Sequence, residues 1–146
     1  MAFKPLSPAF SAAPQLSQAD IARAAQDGFS TIVDNRPDGE DPGQPDAATM
    51  RGLAEQHGLT FAHIPVTPAA IGDADIAKMA AVLASAPGPV LGYCRTGTRA
   101  AMLWALTQAR EASPESLLQA AAEAGFDLTA IKPRLVTLAA GGRGVE

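Results

Sequence analysis

The run Pro89-Val90-Leu91-Gly92-Tyr93 passes into Ala100-Ala101-Met102-Leu103-Trp104-Ala105-Leu106 across a short polar turn, and this join narrows the folds open to the chain more than any other stretch. An apolar run opened by Pro87-Gly88 predicts a buried strand. The stretch after the turn is apolar nearly all round, which predicts a central helix covered on several sides, with Trp104 as its core anchor. A buried strand that feeds a buried helix belongs in an α/β sheet with its helices packed on the faces.

The rest of the chain supplies partners for that unit. Residues 5–14 are broken by prolines at 5, 8 and 14 and predict an edge strand or a hairpin. Ser17 caps a helix that Gly28 ends, residues 31–33 make a short strand, and residues 34–43 form a long polar loop at its carboxyl end. Asp46 caps a helix carrying Met50, Leu53, Ala54 and His57 at helical spacing, and residues 60–66 make the next strand. Asp73 opens a helix with Ile76, Met79, Ala80 and Leu83 on one stripe. Ser113-Pro114 opens another, and Pro133 starts or kinks a last helix bearing Leu135 and Leu138. The expectation is one α/β domain over residues 1–138, with about four parallel strands flanked by helices, and a flexible tail over residues 139–146.

The turn itself reads Cys94-Arg95-Thr96-Gly97-Thr98-Arg99 and contains the only cysteine of the chain. At the carboxyl end of a parallel strand the first amides of the following helix point inward, which makes an anion cradle. Those amides, the helix dipole and the guanidinium groups of Arg95 and Arg99 favour negative charge, so the sulfur is expected to react as a thiolate. Gly97 permits the tight turn, and Arg99 can return a fork to an oxyanion held over the sulfur. A lone cysteine is more often a small buried hydrophobe. Two arginines and a glycine on a turn are poor packing material, which favours Cys94 and Arg99 as catalytic groups, with Arg95, Thr96, Gly97 and Thr98 as the anion-binding loop.

Arg36 and Asp34 lie in the loop expected at the same sheet edge and are candidates for substrate binding. Arg36 can contact an anionic donor or pair with Asp38 or Glu40 to hold the loop. His57 and His63 read as structural histidines.

A net charge of -4 with no basic run argues against nucleic acid, while Arg95 and Arg99 make a local positive spot suited to small anions. A single cysteine excludes an intramolecular disulfide, the apolar runs are too short for a membrane span, and the start of the chain lacks a secretory pattern. A cytoplasmic location is expected, with no metal, cofactor or membrane partner.

The loop resembles the active-site loop of rhodanese-type sulfurtransferases, which is one residue shorter than the Cys-x5-Arg loop of protein-tyrosine and dual-specificity phosphatases. Over roughly residues 5–138 the chain resembles a bacterial family of phosphatase-like domains, found in beta-lactamase hydrolase-like proteins, that carry this rhodanese-sized loop. The resemblance implies a fold of the dual-specificity-phosphatase type. It also implies a choice of chemistry. In dual-specificity phosphatases an aspartate after the strand here ending Ile64-Pro65-Val66 protonates the leaving group, whereas this chain has Thr67-Pro68-Ala69-Ala70. A hydroxyl cannot replace that acid. Ala100 also stands where the resembled loops often carry a hydroxyl residue.

The expectation is therefore sulfur transfer through a Cys94 persulfide, from thiosulfate or glutathione persulfide to a thiol or cyanide. The alternative is a cysteine-dependent phosphatase working through phosphocysteine. The resemblance also implies a metallo-β-lactamase-fold persulfide dioxygenase or hydrolase as a functional partner.

Overall fold

The computed structural model describes residues 3–143. Strands β1 (Lys4–Ser7) and β2 (Phe10–Ala13) form an antiparallel hairpin. They are followed by α1 (Gln18–Gln26), β3 (Thr31–Asp34), α2 (Ala47–Gln56), β4 (Thr60–His63), α3 (Asp73–Ser85), β5 (Val90–Tyr93), α4 (Thr98–Gln108), α5 (Pro114–Glu123) and α6 (Lys132–Arg143). The sheet has five strands, in the order β1-β2-β5-β3-β4, where about four were expected. The extra strand comes from the hairpin. β1 holds Pro5 and takes the edge, whereas β2 has no proline and pairs on both sides, antiparallel to β1 and parallel to β5.

β5 lies between β2 and β3 and is buried along its whole length, as are both neighbours. Its side chains alternate. Leu91 and Tyr93 join Ile32, Ile21, Met50 and Phe61 on the face covered by α1 and α2. Val90 joins Val33, Met79, Leu103, Leu117 and Leu135 on the opposite face, beneath α3 to α6. The period of two thus sorts one strand into two cores.

Capping follows the local sequence. Ser17 and Asp20 form a reciprocal capping box, a fuller one than the aspartate at N3 predicts, while Asp46 and Ser113 accept from the third residue of their helices. Lys132 starts α6, so Pro133 falls in the first turn, where its missing N–H costs nothing. The helix runs past Leu138 to Arg143 and buries Ala139, so residues 139–143 are helical where a flexible tail was expected. Residues 144–146 lie outside the described residues. Arg134 of α6 donates to the carbonyl of Ile71 and to Asp73, which ties α6 to the segment between β4 and α3.

α4 is the central helix. It is buried from Arg99 through Leu106, and Trp104 stacks on Phe10 with ring centroids 6.2 Å apart. Gly92 makes room for that pair, because a methyl group at this position would lie 2.8 Å from the Phe10 ring and 3.4 Å from Ala100. Phe10 is held against Trp104 and cannot yield freely. Gly92→Ala is expected to destabilise the fold by about 1–3 kcal/mol through overpacking, read as a lower urea midpoint with an unchanged slope.

Candidate active site

Three loops meet at the carboxyl ends of the central strands. The main-chain N–H of Cys94 donates to the carbonyl of Ala13, that of Asn35 to Tyr93, and that of Val66 to Asn35. The Asn35 side chain, fully buried, adds a hydrogen bond to the carbonyl of Ile64 at 2.9 Å. The loops after β3, β4 and β5 are thereby held as one rim.

Cys94 lies beneath this rim and is fully buried. Gly97 caps α4 with φ at 97°, a left-handed conformation that suits glycine, and its N–H donates to Sγ of Cys94 at 3.1 Å. A side chain there would also meet the Phe126 ring at 3.0 Å. Thr96 and Thr98 are linked through their hydroxyls at 3.2 Å, and Arg95 is exposed.

Arg99 returns from the first turn of α4 as expected, but its guanidinium grips a carboxylate. Its two terminal nitrogens donate to Oε2 and Oε1 of Glu40 at 2.6 and 2.9 Å, and one also donates to the carbonyl of Val66 at 3.0 Å. Glu40 is shared. Oε1 also accepts from Nε of Arg36 at 2.8 Å, so two guanidinium groups converge on one oxygen. The Arg99 pKa is raised, first by Glu40, against the opposing effect of burial, and the nearby Cys94 side chain adds to the rise. A cleft of about 430 Å³ lined by Glu40, Asp41, Pro68, Arg95, Thr96 and Arg99 opens above the loop.

Arg36 is buried and makes the pair with Glu40 that the sequence allows, joined by Asp41 at 2.6 Å and Gln15 at 2.9 Å. It does not pair with Asp38. Arg95 also reaches Asp41, at 3.2 Å. Glu40 and Gln15 are the site residues that sequence reasoning passed over. Glu40 was visible only as a pairing option for Arg36, and Gln15, far along the chain, gave no signal.

Asp34 is placed differently. It is buried at the end of β3, it does not line the cleft, and its Oδ1 accepts from the Arg36 main chain at 2.8 Å. Burial raises its pKa, partly offset by that N–H and by His63. Tyr93 is shifted upward by burial and by the Asp34 charge. Asp34, Asp38 and His63 bring ligand atoms within 4.8 Å of one another. Each is already engaged: Asp38 accepts from the Ala47 N–H, and His63 Nε2 lies 3.0 Å from the Arg36 carbonyl, a contact in which the ring nitrogen donates. The group braces the loop.

The two arginines hold Glu40 well below the ordinary carboxylate range, at about 2 against about 4.5. A pKa lowered on folding gives stability that is present above the unfolded value and is lost as pH falls through the folded one. The Glu40 contribution should fade between about pH 4.5 and about 2. Urea midpoints across that window should fall less steeply in Glu40→Gln than in the unaltered protein.

A family model described as the phosphatase-like domain of beta-lactamase hydrolase-like protein matches residues 2–111. The chain belongs to this family. A beta-lactamase hydrolase-like protein of Agrobacterium fabrum is 40% identical over 91 residues, 62% of this chain and 21% of the relative. The chain therefore spans about a fifth of the length of that curated relative.

A Neisseria meningitidis Z2491 protein, provisionally assigned as a phosphatase, has a crystal structure with 38% identity and a TM-score of 0.85, covering 94% of this chain and 99% of its own. TpbA of P. aeruginosa, solved as a Cys-to-Ser form with pTyr, shares the fold at 18% identity and a TM-score of 0.66, covering 99% of this chain and 85% of its own. The domain is thus of the phosphatase-like type that its family description gives, with the expected dual-specificity-phosphatase-like fold. The family description and the Neisseria structure carry phosphatase names, which favours the phosphatase alternative over the expected sulfur transfer. No helix among the described residues is long and apolar enough to cross a membrane.

Proposed function

We propose that the domain is a cysteine-dependent phosphatase-type enzyme in which Cys94 attacks a phosphate monoester and Arg99 receives the phosphoryl oxygens. One observation carries the reading. Arg99, five residues after the only cysteine, already holds an anionic group in a bidentate grip over the turn that contains Sγ. In the first step a sulfur–phosphorus bond forms and the ester oxygen leaves; in the second, water attacks the phosphocysteine and frees the thiolate. Phosphotyrosine and other aryl phosphates are the proposed substrate class, because their leaving groups need the least help from an acid.

The test is intact mass after rapid acid quench of a reaction with p-nitrophenyl phosphate. A gain of one phosphoryl group, absent in Cys94→Ser, supports the reading, and turnover without it overturns the covalent route.

A second reading is favoured by two features. The loop has four residues between Cys94 and Arg99, and the segment Thr67-Pro68-Ala69-Ala70-Ile71 after β4 carries no carboxylate. Sulfur transfer needs no acid at that place, since attack of the thiolate on thiosulfate breaks the sulfur–sulfur bond and releases sulfite, a stable anion. The donor would be thiosulfate or glutathione persulfide, and the acceptor a thiol or cyanide. A metallo-β-lactamase-fold dioxygenase or hydrolase is the proposed partner, supported by the greater length and the name of the curated relative. Incubation with thiosulfate followed by intact mass separates the readings, because a gain of one sulfur on Cys94 with no phosphoryl adduct would put sulfur transfer first.

A further inference from the structure

The segment after β4 offers no proton donor, yet the cleft contains a carboxylate directly bound to the arginine of the reactive loop. We propose that Glu40 is the general acid and base of the phosphatase reaction, standing in the anion's place until substrate displaces it from Arg99.

Three features support this. The first is position: Glu40 and Asp41 are the two carboxylates among the residues lining the cleft, and of these Glu40 is the one on Arg99. Asp41 bonds Arg36 and Arg95, so it keeps cations when an anion takes Arg99.

The second is support. The N–H groups of Glu40 and Asp41 both donate to Oε1 of Gln44, whose Nε2 donates to the carbonyl of Pro37. The main chain around Glu40 is therefore braced, so displacement from Arg99 calls for side-chain rotation against the bond that Oε1 also accepts from Arg36.

The third is charge. The interaction that most strongly lowers the Glu40 pKa is its bond to Arg99. A phosphate dianion that takes Arg99 removes that partner and adds negative charge nearby, and both effects drive a proton onto Glu40. The groups facing it are Arg36 and Asp41 from its own loop, Arg95 and Arg99 from the reactive loop and α4, and Cys94 through Arg99. Binding thus loads the acid that the chemistry consumes.

The steps balance. As sulfur bonds phosphorus, the ester phosphorus–oxygen bond breaks, its electron pair goes to the leaving oxygen, and that oxygen takes the Glu40 proton. In the second step the Glu40 carboxylate accepts a proton from the attacking water while the phosphorus–sulfur bond breaks and its pair returns to Cys94.

The proposal rests on the phosphatase reading, and two measurements test it. In Cys94→Ser protein, calorimetric titration with sulfate at mildly acidic pH, in buffers of different ionisation enthalpy, should show proton uptake that Glu40→Gln removes and Asp41→Asn retains. Uptake unchanged in Glu40→Gln overturns displacement.

With Cys94 intact, Glu40→Gln should lower kcat for phenyl phosphate by about 10²–10⁴-fold and steepen the dependence of rate on leaving-group pKa, while p-nitrophenyl phosphate loses far less. An equal loss for both substrates overturns the acid role and leaves the phosphatase reading standing. Absence of any phosphoryl adduct or turnover in the unaltered protein removes the reading and the proposal together. Melting temperatures of the variants guard against misfolding, and Glu40→Asp, which keeps the proton, should restore part of the leaving-group behaviour that Glu40→Gln loses.

Discussion

Cys94→Ser is expected to abolish covalent turnover, with kcat/KM falling on the order of 10⁴-fold or more, because the bond-forming atom is the sulfur and an alcohol in the same place is not ionised. The fold should tolerate the change. Cys94 is fully buried, so the exchange is a core substitution, but serine is similar in shape and its oxygen can accept the Gly97 N–H that now points at Sγ. A stability change of about 1 kcal/mol or less is expected, measured by urea unfolding. Steady-state turnover retained in the serine variant would remove both the phosphocysteine and the persulfide route.

Arg99→Lys is expected to cost about as much activity as Arg99→Ala, roughly 10²–10³-fold in kcat. Arg99 now makes three bonds at once, two to Glu40 and one to the carbonyl of Val66, with nitrogens set in one plane. An ammonium group can restore charge but not that fork. The side chain is largely buried and close to Cys94, so the lysine variant also leaves Glu40 with Arg36 as its remaining direct partner. Its pKa should then rise toward the ordinary carboxylate value, and the part of the acid-dependent loss of stability that Glu40 supplies should shrink. A lysine variant with near-normal kcat and an acid-dependent loss as steep as in the unaltered protein would mean that Arg99 acts only through its charge.

Both variants concern a loop whose position was readable from the chain alone. The change from an apolar run to a helical one at Cys94 follows from periodicities of two and 3.6, which are local properties. Ser17, Asp46 and Ser113 act within a few residues of themselves, and the helix starts they mark are found where expected. The α/β class, the order of elements from α1 to α6 and the pairing of a lone cysteine with an arginine five residues on were legible for the same reason.

What separates residues far along the chain was not. Whether residues 10–13 lie at an edge or between two strands depends on the exposed side of β5, and no pattern within four residues encodes that. The burial of Asp34 likewise follows from its place between His63 of β4 and Tyr93 of β5 and from the loop that turns back over it, since an aspartate at a strand end reads from sequence as a loop residue. Glu40 is the sharpest case. It lies 59 positions before Arg99, among several other charged residues of a polar loop, and nothing local distinguishes it from Asp38 or Asp41. The sheet order sets β3 beside β5, their loops share one rim, and two guanidinium groups meet there. Short-range patterning put Cys94 and Arg99 on one turn, while the long-range pairing of parallel strands brought Glu40 onto that arginine.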